Sequence, residues 1–261
     1  MKYMLKYFIL GVFLVAAAGM YSCAPDAPKD DKTGKQTGDE ENTPKEGETE
    51  VKLPASYTAP GVLPYYEQSD EFLKDKFLPI GWSQDGHFAY VRIPADEAIG
   101  AFVMDIVVMD ATTNTVAWKW NFTGDGYEKQ LPQVWAENQE LFNQKLKKYK
   151  ILPLEKAQIA GTQFSHKGQE YALKAKTQTE EDPMFGFEAV VRSEIIMEGP
   201  QGQEKIAVVD EKQSGTILGA KIQGHLKSPH QPLIVILYRN ERAGYEGPPH
   251  VVSFRLFGAA L

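Results

Sequence analysis

Over residues 78–122 apolar and polar positions alternate with a period near two, in four runs separated by turn residues, which is the pattern of an antiparallel meander. The runs cover residues 78–83, 87–94, 102–110 and 115–122. Gln84-Asp85-Gly86 joins the first two, and Asp-Gly suits the centre of a tight hairpin because both residues tolerate positive φ. In the last run Val116, Trp118, Trp120 and Phe122 share one face while Ala117, Lys119 and Asn121 take the other, so an edge strand or one covered on a single side is expected. The third run is apolar on both faces except for Asp105, which predicts a strand covered on two sides and a carboxylate in need of a partner. Arg92, on the neighbouring run, is the candidate.

The period changes over residues 132–148. Val134, Trp135, Leu141, Phe142, Leu146 and Tyr149 form one stripe, with Glu137, Gln139, Glu140, Gln144, Lys147 and Lys148 elsewhere, so one long amphipathic helix is predicted. Ahead of the meander, Ser69-Asp70-Glu71-Phe72-Leu73 reads as a short helix with a capping serine and an acidic first turn. Strands resume at residue 169. Tyr171, Leu173 and Ala175 alternate with Glu170, Lys174 and Lys176, and Phe187, Ala189, Val191, Ile195 and Met197 with Glu188, Arg192, Glu194 and Glu198, so opposite charges are placed to pair across a wet face. Runs at 204–210 and 216–223 follow turns, 233–238 is an unbroken apolar run fit for a central strand, and 251–257 closes the sheet. The fold class expected is mainly β (α+β), with two antiparallel blade-like meanders and one long amphipathic helix between them.

Gly81-Trp82-Ser83-Gln84-Asp85-Gly86 resembles the strand and turn that open each blade of Tol-type periplasmic propellers. At about 40 to 45 residues per blade the chain is too short for the usual minimum, and the turn does not recur at that period, so a complete propeller is not expected. The opening GWSQDGHFAYV, the strand end MDATTNTV and the closing KSPHQPLIVILYRNERAGYEGPPHVVSFRLFGAAL together resemble an uncharacterised family of predicted secreted bacterial proteins, a domain of unknown function. That resemblance implies export and a mostly β domain, and it carries over no catalytic residue.

Lys2 and Lys6 precede an apolar run at 8–18 and then short residues ahead of Cys23, which makes residues 1–22 a bacterial export signal. A transmembrane helix needs about 20 apolar residues, more than this run holds. Gly19-Met20-Tyr21-Ser22-Cys23 resembles a lipoprotein cleavage box, in which the cysteine is acylated and becomes the new N-terminus; Met20 and Tyr21 stand where that box has an aliphatic and a small residue. Cys23 is the only cysteine. Its acylation would leave no thiol for catalysis, disulfide or metal. Ala24 follows it, and by resemblance to enteric lipoproteins the lack of Asp there points to the outer membrane over the inner. Residues 23–54 then read as the lipidated cysteine and a disordered acidic tether, since 24–52 carry nine acidic residues, five lysines and no aromatic. Residues 55–261 form a single β-rich domain.

Loss of Lys2 and Lys6 takes the net charge from −7 to −9, spread without a basic patch, which speaks against nucleic acid and against a peripheral hold on anionic lipid. None of the five histidines forms a ligand pair, and no nucleophile elbow, phosphate loop or dinucleotide fingerprint occurs, so no metal or cofactor is expected. His230 and His250 stand at strand starts; with Tyr245 and Glu246 of the loop RAGYEGPPH they are the candidate binding residues. The reading these features favour is a lipid-anchored module of the cell envelope that binds or assembles with an envelope protein. The alternatives are an envelope hydrolase using Asp, Glu and His residues such as His230, Glu246 and His250, and a purely structural lipoprotein. Cys23→Ser is expected to move the protein from the detergent phase to the aqueous phase and to change its mature mass; a membrane-bound variant of unaltered mass would refute acylation.

Overall fold

The computed structural model describes residues 52–61, 72–95, 100–125, 129–183, 186–244 and 247–261. Cys23, Tyr245 and Glu246 lie outside the described residues. The protein is mainly β, with strands gathered into three sheets, and among the described residues none of the sheets closes on itself.

The first sheet holds β2 (Lys76–Trp82), β3 (His87–Ile93), β4 (Ala101–Asp110) and β5 (Thr115–Asp125), paired antiparallel in sequence order, with the two-residue β6 (Leu152–Pro153) beyond β2. The β2–β3 turn forms where Asp85-Gly86 places it, but Gly86 alone has positive φ (+94°), and Ser83 N donates to His87 O at 2.9 Å across a three-residue loop where a tight turn with positive φ at both residues was expected. Asp105 is buried opposite Arg92, whose Nη2 lies 2.7 Å from Oδ2, and Lys119 of β5 adds a second cation at 3.2 Å. β5 is an edge strand, but the alternation expected along it breaks at Ala117. A bulge there pairs Val116 with Met109 and Trp118 with Val108, so Val116 leaves the face of the tryptophans and is 61 % exposed.

The even-numbered residues of β4, Phe102, Met104, Ile106 and Val108, face the helical layer. That layer is α1 (Leu131–Glu137) and α2 (Gln139–Lys148), two helices where one was expected. Asn138 separates them at φ −115°: its side-chain Nδ2 takes the Val134 carbonyl at 2.9 Å, a local bond that competes with the helical ladder. The stripe survives the break, and Val134, Trp135, Phe142 and Leu146 are buried. Tyr57 closes this core from the N-terminal segment. It is 1 % exposed; its N donates to Asn143 Oδ1, its hydroxyl to Ile151 O, and its carbonyl accepts from Gln139 Nε2 and Trp135 Nε1.

The second half divides into two sheets where one was expected. β7 (Gln163–His166), β8 (Gln169–Glu181), β9 (Glu188–Gly199) and β10 (Gly202–Asp210) form an outer sheet in the order β10-β9-β8-β7. β11 (Ile217–Lys227), β12 (Leu233–Arg242) and β13 (His250–Ala260) form a middle sheet whose other edge is β1 (Phe72–Lys74), parallel to β13. Phe72 and Leu73, expected in a short helix, are therefore strand, because backbone pairing with His250 and Val251 outweighs local helix propensity; residues 69–71 lie outside the described residues. Only Asp75 separates β1 from β2, so the chain passes from the middle sheet to the first within one residue. Asp75 is buried, donates N–H to Val252 O and accepts from Ala95 N, each at 2.9 Å.

β12 accounts for the stacking. Leu233, Val235 and Leu237 pack with Phe77, Trp82, Phe88 and Met109 of the first sheet, while Ile234, Ile236 and Tyr238 pack with Leu173, Ile195, Met197 and Val209 of the outer sheet. Each such side chain contributes about 1.5 to 3 kcal/mol when fully buried. The first and middle sheets approach closely at Gly258, where a Cβ would stand 1.9 Å from Ala111 O. Outside the core, charges pair across the outer sheet's wet face, as Lys174–Glu198 at 2.5 Å and Lys205–Glu194 at 2.7 Å.

Arg92 and Lys119 are 35 % and 45 % exposed, so if Asp105 is removed both cations still reach water. Asp105→Ala is expected to cost about 1.5 to 3 kcal/mol, the range for hydrogen bonds to charged groups, below the 3 to 5 typical of a fully buried pair. A urea midpoint lowered at constant slope would show it, and an unmoved midpoint would mean that the carboxylate contributes nothing.

Candidate functional site

Three connections meet at one end of the middle and outer sheets. Thr216, just ahead of β11, donates its hydroxyl to Asp182 at the tip of the β8–β9 hairpin at 2.8 Å, and Ala243 N, just past β12, donates to Thr216 O at 2.9 Å. The β12–β13 loop is folded back on itself there. Gly244 N donates to His250 Nδ1 at 3.3 Å and Gly247 N to Gly244 O at 3.3 Å, and the Pro248–Pro249 bond is cis. A Cβ on Gly244 would lie 2.3 Å from Gly247 O and 2.5 Å from Pro249 O, so only glycine fits. The His250 ring packs on Phe72 with centroids 5.9 Å apart, and Arg239, paired with Glu241 at 2.5 Å, lies 5.7 Å over the same phenyl. Phe187, at the hairpin tip, is one of three large apolar side chains that are exposed among the described residues.

The candidates named from sequence do not all gather here. His250 does, as a hydrogen-bond acceptor in the loop stem, which puts its remaining ring proton on Nε2. His230 does not: it is exposed in the β11–β12 turn, with its N–H on Ser228 Oγ at 3.2 Å. The register pairs Leu233 with Ala260 and Arg242 with Val251, so the two histidines stand at opposite ends of β12, roughly 30 Å apart at about 3.3 Å per residue. His230 and His250 are therefore not brought together, and Tyr245, Glu246 and Cys23 are outside the described residues.

Two polar clusters went unread in the sequence. Glu211, fully buried after β10, accepts from Tyr238 Oη at 2.7 Å, Asn240 Nδ2 at 3.2 Å and Arg255 Nη2 at 3.2 Å; Arg255 also reaches Ser214 Oγ at 2.8 Å. Tyr238 Oη lies 2.7 Å from Ser193 Oγ as well, and with one hydrogen to give it donates to the carboxylate and accepts from the serine. Burial holds the Tyr238 phenol well above the ordinary tyrosine range, so it remains protonated and the cluster acts as a fastening between the outer and middle sheets. The signal was slight: Tyr238 ends the apolar run of β12 and Arg255 stands alone among apolar neighbours in β13, where the register makes the two cross-strand partners. The other cluster is Ser83, Asp85 and His87. Asp85 accepts from the Ser83 hydroxyl and lies 2.9 Å from His87 Nδ1, so serine and imidazole share a carboxylate instead of passing a proton between them. This is a turn, with Ser83 buried beneath it.

His225 fastens the segment before β7 to β11. It is 2 % exposed, its Nδ1 donates to Gly161 O at 2.8 Å, its ring lies 4.1 Å from that of Phe164, and its backbone exchanges two hydrogen bonds with Ala160. Burial pushes the imidazole below 6.5, the Gly161 carbonyl opposes this, and Lys227 adds to it.

These features define a mainly β protein of stacked sheets with one loop-rich end and internal polar fastenings. No family model matches the chain, and neither a curated protein nor a solved structure does. Among the described residues no helix is long and apolar enough to cross a membrane.

The unfolded chain takes up a proton on His225 near pH 6.5, whereas the native state resists until lower pH, so the stability this residue contributes at neutral pH is lost as pH falls below 6.5. The stability difference between wild type and His225→Asn, which keeps a donor near Nδ1, is expected to shift against wild type between about pH 7.5 and about 5.5. A constant difference would mean that His225 does not titrate in this way.

Proposed function

We propose that the chain is a lipid-anchored protein of the bacterial cell envelope, attached through Cys23 and more at home in the outer than the inner membrane, that works as a non-enzymatic binding module. Its partner is an envelope protein, engaged at the loop-rich end by the RAGYEGPPH loop. The observation that carries this reading is the stem of that loop, where Ala243, Gly244 and His250 are each hydrogen-bonded into place and Gly244 has no room for a side chain. A loop held so on a rigid scaffold presents its tip at low ordering cost, and loops on such scaffolds commonly carry recognition. Stacked sheets supply the scaffold, with Asp105 tying strands within the first sheet and Glu211 fastening the outer sheet to the middle one, and the β2–β5 meander, blade-like in its turn chemistry, supplies its base. The export signal and lone cysteine of the sequence support the location.

Crosslinking in intact cells tests the reading. Tyr245→Ala and Glu246→Ala are expected to keep the thermal midpoint of the wild type and lose its crosslinked partner, while His230→Ala, at the far end of β12, keeps both. Unfolding of the loop variants, or retention of the crosslinks, would make this loop architecture and the proposal wrong.

A further inference from the structure

Lys145, Lys147, Lys148 and Lys150 fall within six residues at the C-terminal end of α2 and the turn after it. Lys147, Lys148 and Lys150 are exposed and Lys145 half-buried. None of the four stands in an ion pair among the described residues, whereas Lys174, Lys205 and Lys212 of the outer sheet and its following turn each sit on a glutamate at 2.5 to 3.0 Å. Part of the cluster complements the negative end of the α2 dipole. Lys150 does not, because it lies past the helix at φ +50°. The cluster also has a fixed place relative to the incoming chain: Lys147 Nζ donates to Ala55 O at 2.7 Å, so the lysines adjoin the segment through which residues 1–51 join the domain.

We propose that this lysine cluster is the face by which the domain rests on the anionic phospholipid of the membrane that anchors it. The inference builds on the lipid-anchored reading above. The expectation of charge spread without a basic patch overlooked these four lysines, and net charge does not forbid contact: at physiological salt charges more than about 8 to 10 Å away are screened, and four ammonium groups without an ion-pair partner among the described residues set the local field. Each lysine brought to an anionic surface favours contact roughly fivefold, which is a weak hold for a free protein. A domain already held at the membrane by its own chain is at high effective concentration there, and a weak hold is then enough to set its orientation. The occupant is a surface and not a small anion, because the lysines are strung along the last turn of α2 and the residues after it, with three of the four exposed.

The test is pulsed amine acetylation of the full acylated chain in vesicles of phosphatidylcholine alone or with about one third phosphatidylglycerol, with each lysine read by mass spectrometry. Labelling of Lys147, Lys148 and Lys150 is expected to fall at least about threefold on the anionic vesicles and to recover in about 0.5 M salt, while Lys174 and Lys205 stay unchanged. Equal labelling on both vesicles would overturn the proposal. So would equal protection on both, which would make the chain's own acidic residues the cover. The anchor is tested separately by adding the Cys23→Ser chain to the same vesicles at lipid excess. If only the anchor reading fails, this form and the wild type behave alike, sediment with anionic vesicles and protect the same lysines. If only the lysine face fails, the acylated chain stays on both kinds of vesicle with its lysines labelled alike.

Discussion

The burial of both faces of β12 is the constraint on which the rest of the structure depends. A strand that is apolar at every position from Leu233 to Tyr238 cannot rest against one layer only, since half of its side chains would then face water. It demands a layer on each side, and the chain supplies them from its two halves: the N-terminal meander on one side and the β7–β10 hairpins on the other. The helices are then free to cover the far face of the first sheet, while the far face of the outer sheet is left to paired charges. Asp75, Glu211 and His225 work at the boundaries between these layers, where polar groups out of contact with water must find one another.

How much of this was legible follows from the range of the interactions. The strands of the first meander, the Asp85-Gly86 turn, the Arg92–Asp105 pair and the central character of residues 233–238 depend on neighbours within a few tens of residues, and period and turn chemistry read them directly. What escaped depends on partners far along the chain. Phe72 becomes strand because β13 offers it a backbone edge, and no local pattern announces that. The second half splits into two sheets at Glu211, a turn that looks like its neighbours until its carboxylate is seen to be buried. The helix break at Asn138 was within reach, since a mid-helix asparagine invites side-chain competition for the backbone. The separation of His230 from His250 was also within reach: two strands joined as a hairpin start at opposite ends, so residues at both starts do not meet.

The sheet edges are treated consistently. β11 is covered by the Ala160–His225 bridge, and β1, β6 and β7 are short. The two long edges, β5 and β10, each carry a bulge, at Ala117 and Ile206, and each carries a lysine paired to a neighbouring strand, Lys119 with Asp105 and Lys205 with Glu194. Both devices discourage edge-to-edge addition of further strands.

Tyr57 gives the molecule a mechanical property. Tension arriving along the chain from its N-terminal side meets this residue before any strand, and it is held by Asn143, Gln139, Trp135 and Ile151 all around its ring and peptide. The pull is therefore spread into the helical layer and its core, across several bonds strained together instead of unzipped in turn. A pull on the chain from this side therefore reaches the strands only after these bonds to the helical layer have given way.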